Sequence, residues 1–209
     1  MTRHLLTLGV LLAGLAALSF VVAPAVADDK KDEKKEKWTP LFNGKDLKGW
    51  KTHEKDKAKW TVKDGILIGT GEAGHLFSER GDYENFRYRI EAQINDKGNS
   101  GQYFRTKFGP SFPQGYEAQI NSTHPDPQKT GSLYGIVKIK EQLHKPDEWF
   151  TQEVIADGDH IIIKVNNKVV VDTHDKKYKK GHFALQQHND GSEVRFRKIE
   201  VIELPATKK

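Results

Sequence analysis

Residues 86–94 constrain the fold more than any other stretch of the chain. Phe86, Tyr88, Ile90, Ala92 and Ile94 alternate with Arg87, Arg89, Glu91 and Gln93. Successive side chains of a strand point to opposite faces, so a period of two describes a strand with one face in a core and the other outside it. Tyr116, Ala118 and Ile120 alternate with Glu117 and Gln119 in the same way. Residues 160–165 and 168–172 are rich in β-branched side chains and are joined by Asn166-Asn167. Asn tolerates positive φ, so this pair predicts a tight hairpin. Further strands are expected at 60–63, 66–70, 103–108, 150–156, 181–188 and 194–204. Asp64-Gly65, Lys97-Gly98-Asn99, Gly109-Pro110, Asp157-Gly158 and Asp190-Gly191 separate them as turn signals. No helical stripe of four turns follows residue 27, and one short helix is expected near residues 141–149. Many short strands with such turns predict an all-β antiparallel sandwich or barrel. In a two-layer sandwich the polar partners of each alternation line a shared outer or concave face.

The first 27 residues read differently. Arg3 precedes an apolar run over 5–22, and Ala25-Val26-Ala27 supplies a small-x-small cleavage site. That is the pattern of a secretory signal peptide cleaved after Ala27; a membrane anchor is the alternative, and Pro24 with the Ala-x-Ala favours cleavage. The expectation is an exported protein, periplasmic or secreted, with no stable membrane insertion after cleavage. Residues 28–37, DDKKDEKKEK, hold nothing apolar to bury and are expected to form a solvated, disordered spacer. The folded domain is expected over 38–205, with a basic tail at 206–209. The absence of Cys excludes a disulfide framework and thiolate chemistry. The formal charge of +5 falls by one with Arg3, and the basic residues do not cluster with aromatics, so nucleic acid is not an expected partner.

Three segments carry candidate chemistry. In Asn99-Ser100-Gly101-Gln102-Tyr103-Phe104-Arg105 the alternation puts Tyr103 and Arg105 on one face and Phe104 on the other. Arg105 offers a planar fork of donors to vicinal hydroxyls or a carboxylate, or it is a surface Arg paired to an acid. In Gly115-Tyr116-Glu117-Ala118-Gln119-Ile120-Asn121, followed by His124, Glu117 and Gln119 share a face. Glu117 can act as a base, bind a hard cation, or pair across strands with Arg105. Gln119 donates and accepts, as sugar hydroxyls require. In Ala184-Leu185-Gln186-Gln187-His188-Asn189, Gln186 and His188 share a face while Leu185 and Gln187 point inward. His188 is the best single proton carrier because an unperturbed imidazole titrates near neutral pH. Tyr103, Tyr116, Tyr134 and Trp149 are candidates for stacking on a sugar ring, with core packing as the alternative.

What is missing also narrows the chemistry. There is no Gly-x-Ser-x-Gly, His-Glu-x-x-His or P-loop motif. Laminarinase-type sandwich enzymes carry both acids on one strand as Glu-x-Asp-x-x-Glu. Here Gln119 stands where a second acid would be, which disfavours glycosidic hydrolysis by a carboxylate pair.

Taken in order, several segments resemble the family first called domain of unknown function 1080, now described as 3-keto-disaccharide hydrolase. They are residues 41–50 (LFNGKDLKGW), 60–65 (WTVKDG), Asn99-Ser100-Gly101 with Arg105, 115–120 (GYEAQI), 130–135 (TGSLYG), Leu185-Gln186-Gln187-His188 and 194–199 (VRFRKI). The resemblance covers about Trp38 to Leu204. It departs from the usual pattern at Gln187, where Asp is common. It implies a concanavalin A-like jelly roll and action on glycosides already oxidised at C3. A 3-keto group acidifies the C2 proton, so one base and an enolate stabiliser suffice. On this reading Glu117 or His188 is the base, or a ligand to a divalent cation such as Ca²⁺. Arg105, Gln119, Gln186 and Tyr134 would orient the sugar or stabilise the enolate, with Tyr103, His124 and Trp149 as further contacts. The expected partner is a carbohydrate substrate. The alternative is a non-catalytic carbohydrate-binding module of the cell envelope, since lectins share the fold.

Overall fold

The computed structural model describes residues 36–205. The expected signal peptide, most of the spacer and the basic tail lie outside the described residues. Thirteen strands follow one another: β1 Thr39–Pro40, β2 Trp50–Thr52, β3 Ala58–Lys63, β4 Ile66–Gly71, β5 Gly74–Ser78, β6 Phe86–Ile94, β7 Ser100–Thr106, β8 Tyr116–Ile120, β9 Phe150–Asp157, β10 His160–Val165, β11 Lys168–His174, β12 His182–Gln187 and β13 Val194–Glu203. The larger sheet has the order β11-β10-β9-β6-β13-β4-β3, with β1 on β13; the smaller has the order β2-β5-β12-β7-β8. Every pairing is antiparallel, and the two sheets form a jelly-roll sandwich.

The turns follow from their residues. Asn166 and Asn167 have φ of 48° and 66°, and Asp64-Gly65 has 51° and 77°. Two successive left-handed residues give the hairpin turn whose twist matches that of the strands. No helix forms among the described residues, so the short helix expected at 141–149 is corrected to an irregular crossing. Pro146 disfavours helical backbone at Lys145, and Asp147 turns left-handed at φ 60°.

Between the sheets, Phe86, Tyr88 and Ile90 of β6 and Phe196 of β13 meet Phe104 of β7 and Phe183 and Leu185 of β12, all fully buried. Phe183 stacks between Tyr83 and Tyr88 at ring separations of 4.1 and 4.0 Å. Burying side chains of this size contributes about 1.5–3 kcal/mol each. The smaller sheet is apolar on its other face too, where Phe77, Ala184 and Tyr103 form a separate buried cluster. That second covered face is where the candidate site lies.

Candidate functional site

Two side-chain rows cross the outer face of the smaller sheet. Register places Phe77, Ala184, Tyr103 and Glu117 side by side on β5, β12, β7 and β8. One row over, His75 lies opposite Gln186 and Gly101 opposite Gln119. Gly101 leaves a gap in this row. A Cβ there would stand 2.3 Å from Glu117 Oε1 and 2.8 Å from Tyr103 Cε2, so only glycine lets the carboxyl lie over β7. The result is a cavity of about 370 Å³ lined by Asn99, Tyr103, Phe112, Pro113, Gly115, Glu117, Gln119, Tyr134, Gln186 and His188. Its size is that of a small-molecule pocket.

The walls are built locally. Lys97, at φ 59°, and Gly98 turn the chain into β7 and set Asn99 at the cavity edge. The segment Thr130–Tyr134 runs beside β8 without being a regular strand. Gln119 N donates to Ser132 O at 2.9 Å, Gly131 N to Gln119 O at 3.1 Å, and Tyr134 N to Glu117 O at 2.9 Å. This puts the Tyr134 ring at the mouth, 43% exposed, with its hydroxyl donating to Asp126 Oδ2 at 2.9 Å. Opposite it, the β7–β8 loop presents Phe112, 64% exposed.

One polar chain organises the floor. Gln186 Nε2 donates to Tyr103 Oη at 3.0 Å, and Tyr103 Oη donates to Glu117 Oε2 at 2.9 Å. Burial pushes the Glu117 carboxyl up to about 8; the Tyr103 hydrogen bond opposes this and nearby Asp126 adds to it. Burial, then the Glu117 charge, holds Tyr103 well above its usual range, so it remains a donor. Towards the rim, His188 Nδ1 lies 3.0 Å from Asn189 Oδ1, and its ring is 5.7 Å from Phe112 and 5.8 Å from His124. His124 sits beside the cavity, within 3.4 Å of Asn99 Nδ2, and burial followed by His188 lowers its pKa.

The cavity thus gathers Tyr103, Glu117, Gln119, Tyr134, Gln186 and His188, with His124 alongside. Gln187 points away and is held by carbonyls of Gly71, Asn189 and Ser192. Two expected contacts lie elsewhere. Arg105 does not share a face with Tyr103, nor does it pair with Glu117. Its register with β12 slips between His182 and Ala184, its φ is 50°, and it is 2% exposed. This bulge turns Arg105 to the same side as Phe104. There its guanidinium donates to Glu84 O at 2.9 and 2.6 Å, Gly158 O at 2.8 Å and Tyr178 O at 3.2 Å. Trp149 packs under the Arg197 guanidinium at 4.1 Å, on the outer face of the larger sheet, and does not line the cavity.

Asn99, Phe112 and Pro113 line the cavity and were not legible as site residues, nor was His75, which lies beside it against Tyr103. A single Phe between Ser111 and Pro113 in a turn-rich segment was the available signal for Phe112. His75 gave none, because β5 is buried on both faces and shows no alternation. As for a divalent cation, no three His, Asp or Glu side chains converge as ligands among the described residues. Glu117 is the only carboxylate among the described residues lining the cavity, and burial favours its neutral form. The residues do not fit such an ion, and no step below is built on one.

Comparison with known proteins places the fold and the family. A protein from Parabacteroides distasonis ATCC 8503, provisionally assigned as a glycosyl hydrolase, is similar at 25% identity and a TM-score of 0.72, over 84% of this chain and 97% of that one. A second structure with the same provisional assignment and source is similar at 24% identity and a TM-score of 0.66, over 80% and 100% of the two chains. The carbohydrate-binding module CBM66 from Bacillus subtilis shares the fold at 18% identity and a TM-score of 0.56, over 72% and 93%. No curated protein matches. The 3-keto-alpha-glucoside-1,2-lyase-like domain matches residues 37–202, nearly all of the described chain, and the protein belongs to that family.

Proposed function

We propose that the protein cleaves 3-keto-glycosides by elimination, with Glu117 as the base. The observation that carries this is the one carboxyl among the described residues lining the cavity, raised to about 8 by burial and oriented by Tyr103. Hydrolysis by a carboxylate pair needs a second acid across the scissile bond, whereas removal of a C2 proton next to a carbonyl needs one base matched to working pH. In this reading the C2 proton passes to Glu117 and the C–H electron pair forms the C2–C3 enolate. Gln119 donates to the enolate oxygen. The enolate then restores the C3 carbonyl, forms the C1–C2 double bond and expels the C1 oxygen with its electron pair. His188, half-buried at the rim, gives that oxygen a proton. Water adding across the new double bond completes a net hydrolysis.

A carbohydrate-binding module is the second reading, favoured by Phe112 and Tyr134 flanking the mouth as exposed rings. Incubating residues 28–209 with a 3-keto-α-glucoside separates the two. Release of aglycone with an enone chromophore, lost in Glu117→Gln while sugar binding persists, is the expected result. Sugar binding without release by the unsubstituted protein would sink the enzyme reading.

A further inference from the structure

Beside the cavity lies a buried group for which elimination has no use. His75 is 1% exposed, and neither ring nitrogen has a hydrogen-bond partner. Its ring stands edge-on to Tyr103 at 4.9 Å and to Phe112 at 6.4 Å, both cavity residues. Its cross-strand partner is Gln186. The Tyr103 proton is given to Glu117, so the Tyr103 oxygen can only accept from Gln186 Nε2. Gln186 Oε1 is left buried without a partner. Buried polar atoms of this kind are rare, and here three of them fall on two residues paired across β5 and β12.

Their chemistry is complementary to one ligand group. A neutral imidazole offers one donor and one acceptor, and the amide oxygen is an acceptor. A hydroxyl can accept from the imidazole N–H and donate to Gln186 Oε1 at once. Burial, with His188 a smaller contributor, lowers His75 to about 3, which keeps the ring neutral for this role. Phe112 of the β7–β8 loop stands edge-on to the His75 ring. Its loop is tied to β5 through Asp56, whose carboxylate accepts from His75 N at 3.0 Å and from Ser111 N at 3.3 Å. On this reading a sugar hydroxyl would reach these atoms by moving the exposed Phe112 ring aside.

We propose that His75 and Gln186 form a hydroxyl-reading subsite beneath Phe112, which makes His75 a specificity-determining residue for the sugar. The proposal rests on sugar binding in the cavity and not on the role of Glu117 as base. The test uses methyl 3-keto-α-glucoside and its 2-, 4- and 6-deoxy analogues, titrated calorimetrically into Glu117→Gln protein with and without His75→Phe. One deoxy analogue should bind roughly tenfold or more weakly where His75 is present, and no more weakly than the parent sugar in the His75→Phe protein. Equal losses in both proteins for every analogue overturn the subsite. If His75→Phe does not fold, ¹⁵N spectra of the ring in the His75-containing protein decide instead. A shift with the parent sugar but not with that analogue supports the proposal, and no shift with either overturns it. Hydroxyl coupling without turnover by the unsubstituted protein would leave the subsite standing and remove the elimination reading.

Discussion

Glu117 sets stability against activity at a single atom pair. Its carboxyl titrates near 8 in the fold, against 4.5 for an ordinary Glu, because burial penalises the charge. Between those values the folded protein holds a proton that the unfolded chain has released. The contribution is therefore fully present below about pH 4.5 and is lost as pH rises through 8. Glu117→Gln keeps an acceptor for Tyr103 and removes the titration. Its melting temperature should exceed that of the parent at about pH 9 and match it near pH 4, with each kcal/mol worth roughly 2–4 °C. If Glu117 is the base, kcat/KM of the parent should rise tenfold per pH unit and level off near pH 8. Arg105 shows the opposite case, a charge with a structural task. It holds carbonyls from three separate segments. Arg105→Met should cost about 3 kcal/mol or more, since several buried acceptors lose a charged donor. Thermal unfolding would reveal this as a large fall in midpoint, with sugar affinity unchanged at lower temperature. A large loss of sugar affinity in a protein of unchanged midpoint would return Arg105 to the site.

Between residue and molecule, the β7–β8 pair decides whether there is a cavity at all. Gly101→Ala places a Cβ at 2.3 Å from Glu117 Oε1, and the flexible carboxyl end must yield. The expected outcome is a folded domain whose affinity for a 3-keto-α-glucoside falls about tenfold or more, as a polar anchor is misplaced. Calorimetric titration reads it, and parent-like affinity would show that Glu117 does not need this position. The same pair shows what the sequence could and could not disclose. β-branched runs flanking Asn166-Asn167 placed the β10–β11 hairpin, and period two placed β6 and β8, whose apolar residues alternate with polar ones. It put Gln186 and His188 on one face and Gln187 on the other, as the structure has them. It misplaced Arg105 because one bulge inverts every face that follows, and no residue type marks that bulge. It passed over β5 because a strand covered on both sides has no alternation to read.

The whole sandwich gives its two outer faces different work. On the larger sheet, Arg87 pairs with Glu153 at 2.6 Å, Arg89 with Glu200 at 2.5 Å, and Arg197 with Glu91 at 2.6 Å, while Trp38 and Trp149 lie under guanidinium groups. Those partners are satisfied among themselves and leave little for a ligand. On the smaller sheet, orphaned polar atoms and exposed rings face outward above a buried aromatic cluster. A sugar bound there touches strands whose opposite sides form the core, so binding should stabilise the molecule as one cooperative unit. At a ligand concentration of about 100 Kd the gain is roughly 2.7 kcal/mol, or about 5–10 °C in melting midpoint for a domain of this size. Tyr134→Ala should diminish this shift at fixed sugar concentration, because it removes a ring from the mouth. Trp149→Ala should leave the shift intact even where it lowers the starting midpoint, because its ring belongs to the opposite face. Scanning calorimetry of the three proteins with and without a 3-keto-α-glucoside makes the comparison. A ligand shift that vanishes in Trp149→Ala and persists in Tyr134→Ala would move sugar recognition to the larger sheet.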